Sequence, residues 1–131
     1  MNYLVTGATS GLGRNAAEWL LAAGFKVRAS GRDLSAGAAL TARGAEFVPL
    51  DLALASPADC TALLAGIDVV WHCAALSAPW GDPAAFRAAN LDATRKLAAA
   101  AGERRLPRFV QVSTPSIYFD FRHRHQVSEE F

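Results

Sequence analysis

The sequence is poor in cysteine, in net charge and in long apolar runs. Its two cysteines, Cys60 and Cys73, lie in apolar stretches and are too few for a disulfide framework, which indicates buried thiols in a reducing compartment. A formal net charge of +1 does not supply the clustered basic face of a nucleic-acid-binding protein. No segment approaches the roughly 20 apolar residues of a membrane span, and the short apolar start before Gly7 does not resemble a secretory signal. We therefore expect a cytoplasmic protein with no nucleic acid and no membrane as partner.

The composition is that of a globular domain whose sheet is covered on both faces. Hydrophobic residues make up 52% of the 131 residues, and charged residues 19%. A chain of this length buries roughly two-thirds of its unfolded surface, which is enough for one core. Arginine far outnumbers lysine and alanine is abundant, a balance typical of a GC-rich bacterial source. We expect residues 1–131 to form one domain.

Apolar strand segments alternate with helical segments along the whole chain. The expected strands are 2–6, 25–30, 46–52, 68–75 and 108–113. The expected helices are 15–23, 34–43, 57–65 and 83–101, and the core face of the first should carry Ala16, Trp19, Leu20 and Ala23. Short links predict an α/β fold with a doubly wound parallel sheet of five or more strands. In such sheets ligands bind at the carboxyl ends of the strands, where the strand order reverses.

A glycine-rich turn joins the first strand to the first helix. Gly7 allows a tight turn, Gly11 lets backbone approach a pyrophosphate, and Gly13 lets the helix pack close to the sheet. The first helical N–H groups and the helix dipole then face the anion. The predicted dinucleotide contacts of this turn are Gly7, Thr9, Ser10, Gly11, Leu12, Gly13 and Arg14.

The end of the second strand bears on the choice of dinucleotide. An acidic residue there normally holds the ribose of NAD, whereas an arginine accommodates the 2′-phosphate of NADP. Gly31 followed by Arg32, with Arg14 nearby, favours NADP. The alternative is that Arg32 is a solvated loop residue and that Asp33 holds the ribose of NAD.

The ends of the third and fourth strands offer further contacts. Asp51 and Leu52 are placed to bind and cover the adenine, although Asp51 could equally cap the next segment. Cys73, Ala74 and Ala75 are small enough for backbone to pass close to a cofactor, but small residues also suit a crowded sheet edge.

Five motifs together resemble the extended short-chain dehydrogenase/reductases, which include sugar-nucleotide epimerases, dehydratases and 3β-hydroxysteroid-dehydrogenase-like reductases. They are the glycine turn at 6–13, Asp-Leu at 51–52, His-Cys-Ala-Ala at 72–75, Asn-Leu-Asp-Ala-Thr at 90–94 and Val-Ser-Thr-Pro-Ser-Ile-Tyr at 112–118. The glycine spacing is that of the shorter, single-domain members. The resemblance implies a Rossmann-like NAD(P)-binding domain, incomplete at the carboxyl end, with Asn90 among its cofactor contacts.

The resemblance also implies hydride transfer between a nicotinamide and a keto or hydroxy compound. Thr114, with Ser113 as the fallback, corresponds to the hydroxyl that polarises the substrate oxygen; the alternative is a polar strand end that satisfies its own backbone. The family's catalytic Tyr-x-x-x-Lys would follow beyond residue 131. The chain is therefore expected to be a cofactor-binding part without turnover of its own.

The substrate and partner expectations follow from the same resemblance. The substrate is a small molecule, with 3β-hydroxysteroid-dehydrogenase-like reduction favoured over nucleotide-sugar chemistry, and a non-catalytic NADP-sensing module is the alternative of another class. The resemblance implies a homodimer interface built from the helix at 83–101, although this helix could simply pack on the sheet. The alternating histidines at 122–125 are expected to be a solvated loop, and no metal site is expected.

Overall fold

The computed structural model describes residues 1–122, 125 and 127–130. Five parallel strands form one sheet in the order β3-β2-β1-β4-β5. They are β1 (Asn2–Thr6), β2 (Lys26–Gly31), β3 (Glu46–Pro49), β4 (Val69–His72) and β5 (Arg108–Gln111). The predicted doubly wound parallel sheet is therefore confirmed. Because β2 follows β1 on one side and β4 lies on the other, the strand order reverses between β1 and β4.

Helices link each strand to the next. They are α1 (Gly11–Ala22), α2 (Leu34–Ala42), α3 (Pro57–Leu63), α4 (Pro83–Arg87) and α5 (Ala93–Glu103). A π-helical turn (Ala88–Asp92) joins α4 to α5, and a 3-10 helix (Pro115–Tyr118) follows β5. No helix in the described part of the chain is long and apolar enough to cross a membrane.

Capping residues fix where several helices begin. Asp33 accepts hydrogen bonds from the N–H groups of Ser35 and Ala36 at the start of α2. Ser56 and Asp59 form a reciprocal capping box at the start of α3, and proline occupies its first turn. These local signals explain why the predicted starts of α2 and α3 agree with the structure.

The sheet separates two apolar cores. Leu4 and Val70 face α3 and α5, and they pack with Leu64 and Leu97. The next residues along the strands point to the opposite face, where Val5 packs against Leu20 and other residues of α1 and α2. The carboxyl edge of the sheet is consequently held from both sides.

Three expectations about elements were wrong in detail. The first helix begins at Gly11 rather than at residue 15, and it buries Gly13, Ala17 and Leu20, whereas Trp19 is 61% exposed and Ala23 lies beyond the helix. Because Gly13 packs closely against the end of β1, the side of the helix that carries Gly13 faces the sheet. The third, fourth and fifth strands end two or three residues early, because pairing stops at Gly31 with Pro49 and at His72 with Gln111. The expected helix at 83–101 is interrupted by the π turn.

Candidate functional site

A cleft of about 390 Å³ lies at the carboxyl ends of the first four strands. It brings together eight of the predicted dinucleotide contacts, namely Gly7, Thr9, Ser10, Arg32, Asp51, Leu52, Ala74 and Ala75. The other lining residues are Ser30, Gly31, Leu50, Ala53, Leu54, Leu76, Ala85, Ala88 and Ala89. Parallel strands place their carboxyl ends along one edge, so residues far apart in sequence meet there.

The glycine turn is held tightly against the end of β4. A Cβ atom on Gly7 would lie 2.8 Å from the backbone nitrogen of Ala74, and a Cβ on Gly13 would overlap the carbonyl of Gly7. Gly7 and Gly11 have φ angles of +63° and +54°, which L side chains rarely adopt. Apart from its chain neighbours and the nearby backbone of its own helix, no described atom comes within 4 Å of the Cβ position of Gly11, so the turn is open on that side.

The first turn of α1 leaves its N–H groups free of protein caps. Ser10 is the N-cap residue, yet no side chain of the described residues bonds the free N–H groups, and the first turn has no acidic residue. A helix N-terminus of this kind favours an anionic group. Leu12, which is exposed, and Gly11 lie on this turn but are not among the described residues that line the cleft.

Ser30 is a buried polar residue of the cleft that the sequence did not reveal. Ser30 lines the cleft at the end of β2, and its side-chain oxygen, Oγ, has no hydrogen-bond partner among the described residues. Buried hydroxyls are almost always paired in folded proteins. An orphaned hydroxyl beside an open glycine turn and an uncapped helix fits a dinucleotide bound along this edge.

Arg32 and Asp51 face each other across the rim of the cleft. Nη1 of Arg32 is 3.9 Å from Oδ2 of Asp51, and the arginine side chain is 77% exposed. The other oxygen of Asp51 accepts a hydrogen bond from Ala53 N at 3.0 Å, so the capping alternative for Asp51 is realised. Asp33, the alternative ribose ligand, caps α2.

Arg14 does not join Arg32 at the rim. Its Nε donates to Glu18 at 3.1 Å on α1, and the described cleft lining does not include it. Arg14 instead pairs along the helix with Glu18, one turn away, so the prediction that it lies near Arg32 at the dinucleotide stays a prediction.

Asn90 holds the cleft wall rather than facing the cleft. Its Oδ1 accepts from Leu76 N at 2.7 Å, and its Nδ2 donates to Leu76 O at 3.0 Å. Both polar atoms of the amide are thereby used on the loop after β4. Asn90 lies in the π turn, which the sequence pattern did not indicate.

Thr6 and His72 connect the ends of β1 and β4 beneath the cleft. Thr6 Oγ1 lies 2.7 Å from His72 Nδ1 and accepts from the N–H groups of Cys73 and Ala74 at 3.1 Å each. His72 Nε2 lies 2.8 Å from Thr94 Oγ1 on α5. Burial lowers the pKa of His72 from 6.5 to about 4, so the ring is neutral at pH 7. Cys73 contributes its backbone here, and the described cleft lining does not include its side chain.

Lys96 fastens α5 to the loop after β3. Its Nζ donates to the carbonyls of Leu52 and Ala55 at 3.0 and 2.6 Å. This keeps Leu52 in the cleft wall, and Leu52 is buried there. The sequence offered one signal for Lys96, since it is one of only two lysines in an arginine-rich chain.

Ser113 and Thr114 lie on an exposed loop after β5. Thr114 Oγ1 accepts from Ser116 N at 3.2 Å and donates to Ser116 Oγ at 3.1 Å, so it caps the 3-10 helix. Of the described residues, neither Ser113 nor Thr114 belongs to the cleft lining. The structure thus shows the alternative in which a polar strand end satisfies its own neighbours.

The remaining candidate groups carry no site in the described part of the chain. Cys60 is buried and Cys73 half-buried, and burial raises the pKa of both thiols. No cluster of three or more histidine, cysteine, aspartate or glutamate side chains occurs among residues 1–122, 125 and 127–130. His123 and Arg124 of the alternating stretch lie outside the described residues.

A model of the NAD dependent epimerase/dehydratase family matches residues 3–131. The chain belongs to this family. The resemblance to short-chain dehydrogenase/reductases expected from the five motifs is thereby confirmed. Family members are enzymes, and the glycine turn, the uncapped start of α1 and the orphaned Ser30 Oγ fit the family's nicotinamide dinucleotide.

Three curated relatives support this assignment. The chain is 47% identical to protein YbjS of Escherichia coli K12, over all of the chain and 39% of that protein. It is 37% identical, over 98% of the chain and 38% of the relative, to a 4-hydroxy-2-methyl-3-oxo-4-farnesyl-3,4-dihydroquinoline-1-oxide ketoreductase of Stigmatella aurantiaca. It is 34% identical, over 88% of the chain and 29% of the relative, to a 2-alkyl-3-oxoalkanoate reductase of Shewanella oneidensis. The chain therefore spans well under half the length of the relatives that it matches.

A solved structure shows the same fold. UDP-glucuronic acid 4-epimerase from Bacillus cereus in complex with NAD superposes with a TM-score of 0.80 and 27% identity, over 99% of this chain and 44% of that chain. The Rossmann-like architecture of this family is therefore shown for the chain.

Proposed function

We propose that this chain is the NAD(P)-binding domain of an oxidoreductase that moves a hydride between a nicotinamide and a keto or hydroxy carbon. The observation that carries the proposal is the cleft built around the glycine turn, where Gly7 and Gly13 leave no room for a side chain. The N–H groups of α1 and the turn backbone would hold the pyrophosphate. Leu50, Leu52 and Ala75 would enclose the adenine.

NADP is the dinucleotide that the rim of the cleft favours. A side chain at Gly31 would meet Thr9, whose Oγ1 lies 2.7 Å from the position of a Cβ, so residue 31 cannot carry an acid for the ribose without displacing Thr9. Arg32 is exposed, and its contact with Asp51 at 3.9 Å is a surface pair of small energy. The guanidinium is therefore available to a 2′-phosphate.

A titration of the chain with NADPH and NADH tests both parts of the proposal. We expect tighter binding of NADPH, and Arg32→Ala should weaken NADPH by about 1.5 to 3 kcal/mol while changing NADH little. Arg104→Ala is the matched control, because Arg104 is an exposed arginine that donates to the carbonyl of Thr61 and is not among the described residues that line the cleft. Equal affinities for the two dinucleotides would refute the preference, and no binding of either would refute the site.

A ketone is the substrate class that the relatives favour. The two relatives with 37% and 34% identity are named for the reduction of oxo compounds, whereas the epimerase shares 27%. These figures support ketone reduction over nucleotide-sugar chemistry, and the 3β-hydroxysteroid-dehydrogenase-like kind is the form of it that we propose. NADPH oxidation by the whole protein should accordingly appear with oxoalkanoates and be absent with UDP-sugars.

The catalytic step belongs to the whole protein. The nicotinamide, when bound, would supply the hydride. Thr114, or Ser113 in its place, would donate its hydroxyl proton to the substrate oxygen; for Thr114 this bond would replace the present one to Ser116 Oγ. The chain alone should bind NADPH without turnover, since a tyrosine and lysine pair beyond residue 131 would supply the proton. Absence of that pair from the gene would favour the NADP-sensing alternative instead.

The setting of the protein follows as part of the same proposal. We place it in the cytoplasm of a bacterium, in line with its composition and its dinucleotide.

The helix from α4 through α5 would form a homodimer interface, which sedimentation of the whole protein would reveal as twice the mass of one chain.

A further inference from the structure

The hydrogen bonds at Thr6 determine which nitrogen of His72 carries the proton. A hydroxyl oxygen has two lone pairs and one proton. The N–H groups of Cys73 and Ala74 can only donate, and both donate to Thr6 Oγ1 at 3.1 Å. Both lone pairs are therefore used, and the hydroxyl proton remains for His72 Nδ1 at 2.7 Å. Nδ1 is the acceptor and carries no proton.

The other ring nitrogen must then be the donor. A neutral imidazole has one N–H, so the proton is on Nε2, and it is donated to Thr94 Oγ1 at 2.8 Å. A charged ring would need a second acceptor at Nδ1, and Thr6 has no lone pair left to offer. The ring is also fully buried and packs with its centroid 5.9 Å from that of Phe109.

This chain of hydrogen bonds reaches two neighbouring segments of the cleft lining. Thr6 precedes Gly7, and one of the two N–H groups that it binds belongs to Ala74, which lines the cleft together with Gly7. The two segments pack against each other, because a Cβ on Gly7 would lie 2.8 Å from the backbone of Ala74. Thr94 anchors the arrangement to α5, four residues after Asn90, which holds Leu76 of the same loop.

We propose that His72 is a positioning residue of this cleft: as the Nε2–H tautomer it joins Thr6 to Thr94 and thereby sets the position of the glycine turn and the β4 loop around bound dinucleotide. The proposal rests on the proposed dinucleotide site. His72 touches the dinucleotide only through the backbone that it positions.

Nuclear magnetic resonance of the ring nitrogens tests the tautomer independently of any ligand. In the chain labelled with ¹⁵N-histidine at pH 7, we expect His72 to show a protonated Nε2 and an unprotonated Nδ1. His125, which is exposed, serves as the reference ring from the same chain. A protonated Nδ1 on His72 would overturn the proposal.

Substitution of Thr94 tests the consequence for binding. Thr94→Val keeps the shape of the side chain and removes the acceptor of the Nε2 proton. We expect this variant to bind NADPH about three- to tenfold more weakly, the range of one hydrogen bond, and Thr94→Ser to bind within twofold of the parent. Thr61→Val is the matched control, because Thr61 is an exposed helical threonine whose side-chain hydroxyl donates to the carbonyl of Pro57 in the same helix.

The readouts separate positioning from stability. Affinities are measured well below the unfolding midpoint of each variant, so that a purely structural loss lowers the midpoint and leaves the affinity of the folded molecules unchanged. Parental NADPH affinity in folded Thr94→Val would refute the positioning role. Failure of the parent itself to bind NADPH or NADH would instead refute the proposed function, and the tautomer measurement would still stand.

Discussion

Acid should destabilise this protein through His72 at a higher pH than through Asp59. Burial lowers the pKa of the ring from 6.5 to about 4 in the folded state. As the pH falls below 6.5 the unfolded ring binds a proton that the folded ring does not, so the unfolded state is favoured. The stability that the neutral ring gives the folded state is present in full above pH 6.5. It is lost progressively as the pH falls, and it stops changing below about pH 4.

The size of the effect follows from the shift. Between pH 7.5 and pH 4.5 the free energy of unfolding should fall by about 2 to 3 kcal/mol on account of this one ring. Asp59, whose pKa the backbone and side chain of Ser56 hold below its usual 3.8, acts only at lower pH, because its carboxylate is lost as the pH falls through that lowered value. The window above pH 4.5 therefore separates the effect of His72 from that of Asp59.

Urea unfolding at a series of pH values measures this dependence. His72→Gln should remove most of the loss of stability between pH 7.5 and 4.5, and His125→Gln, at an exposed position, should leave it intact. Should His72→Gln prove too unstable, the ring resonances of His72 in the parent should show no titration above pH 5. An unchanged pH dependence in folded His72→Gln, or a His72 ring that titrates near pH 6.5, would refute the assignment of a buried neutral imidazole.

Three further changes test separate parts of the structure. Gly11→Val places a branched residue at a φ of +54° and should cost roughly 1 to 2 kcal/mol of stability while abolishing NADPH binding in the folded variant, as measured by urea unfolding and calorimetry; unchanged nucleotide affinity would place the ligand elsewhere. Ser56→Ala removes the capping box of α3 and should lower the free energy of unfolding by about 1 kcal/mol, and no change in urea would contradict the role of the cap. Thr114→Ala in the whole protein should lower kcat by about 10² to 10³ with NADPH affinity unchanged, and parental kcat would refute its role.

The parts of the site that depend on local chain geometry could be predicted from the sequence. Gly7 and Gly13 are required by the turn itself, and Arg32 and Asp51 follow directly after strands whose ends must share one edge. The parallel sheet followed from the alternation of strand and helix alone. The neighbours of these residues in space could therefore be predicted without knowledge of side-chain packing.

The parts that depend on long-range packing could not be predicted. Lys96 reaches the carbonyl of Leu52 across 44 residues, and His72 meets Thr6 across 66. Trp19 faces solvent because the close approach of α1 to β1 determines which side of the helix is buried. The periodicity of the helix alone does not reveal that choice. Asn90 was predicted as a cofactor contact, whereas its hydrogen bonds to Leu76 depend on the π turn, which the sequence did not indicate.

Amide chemical shifts during an NADPH titration test the central claim most directly. The glycines report on the two ends of the sheet separately. Those near the proposed site are Gly7, Gly11, Gly13 and Gly31. Those at the opposite end, in the turns that lead into β2, β3 and β4, are Gly24, Gly44 and Gly66. The account predicts that the amides of the first group shift with saturation while those of the second stay in place. Shifts confined to the second group, or no saturable shift in either, would contradict a dinucleotide site at the carboxyl ends of the strands.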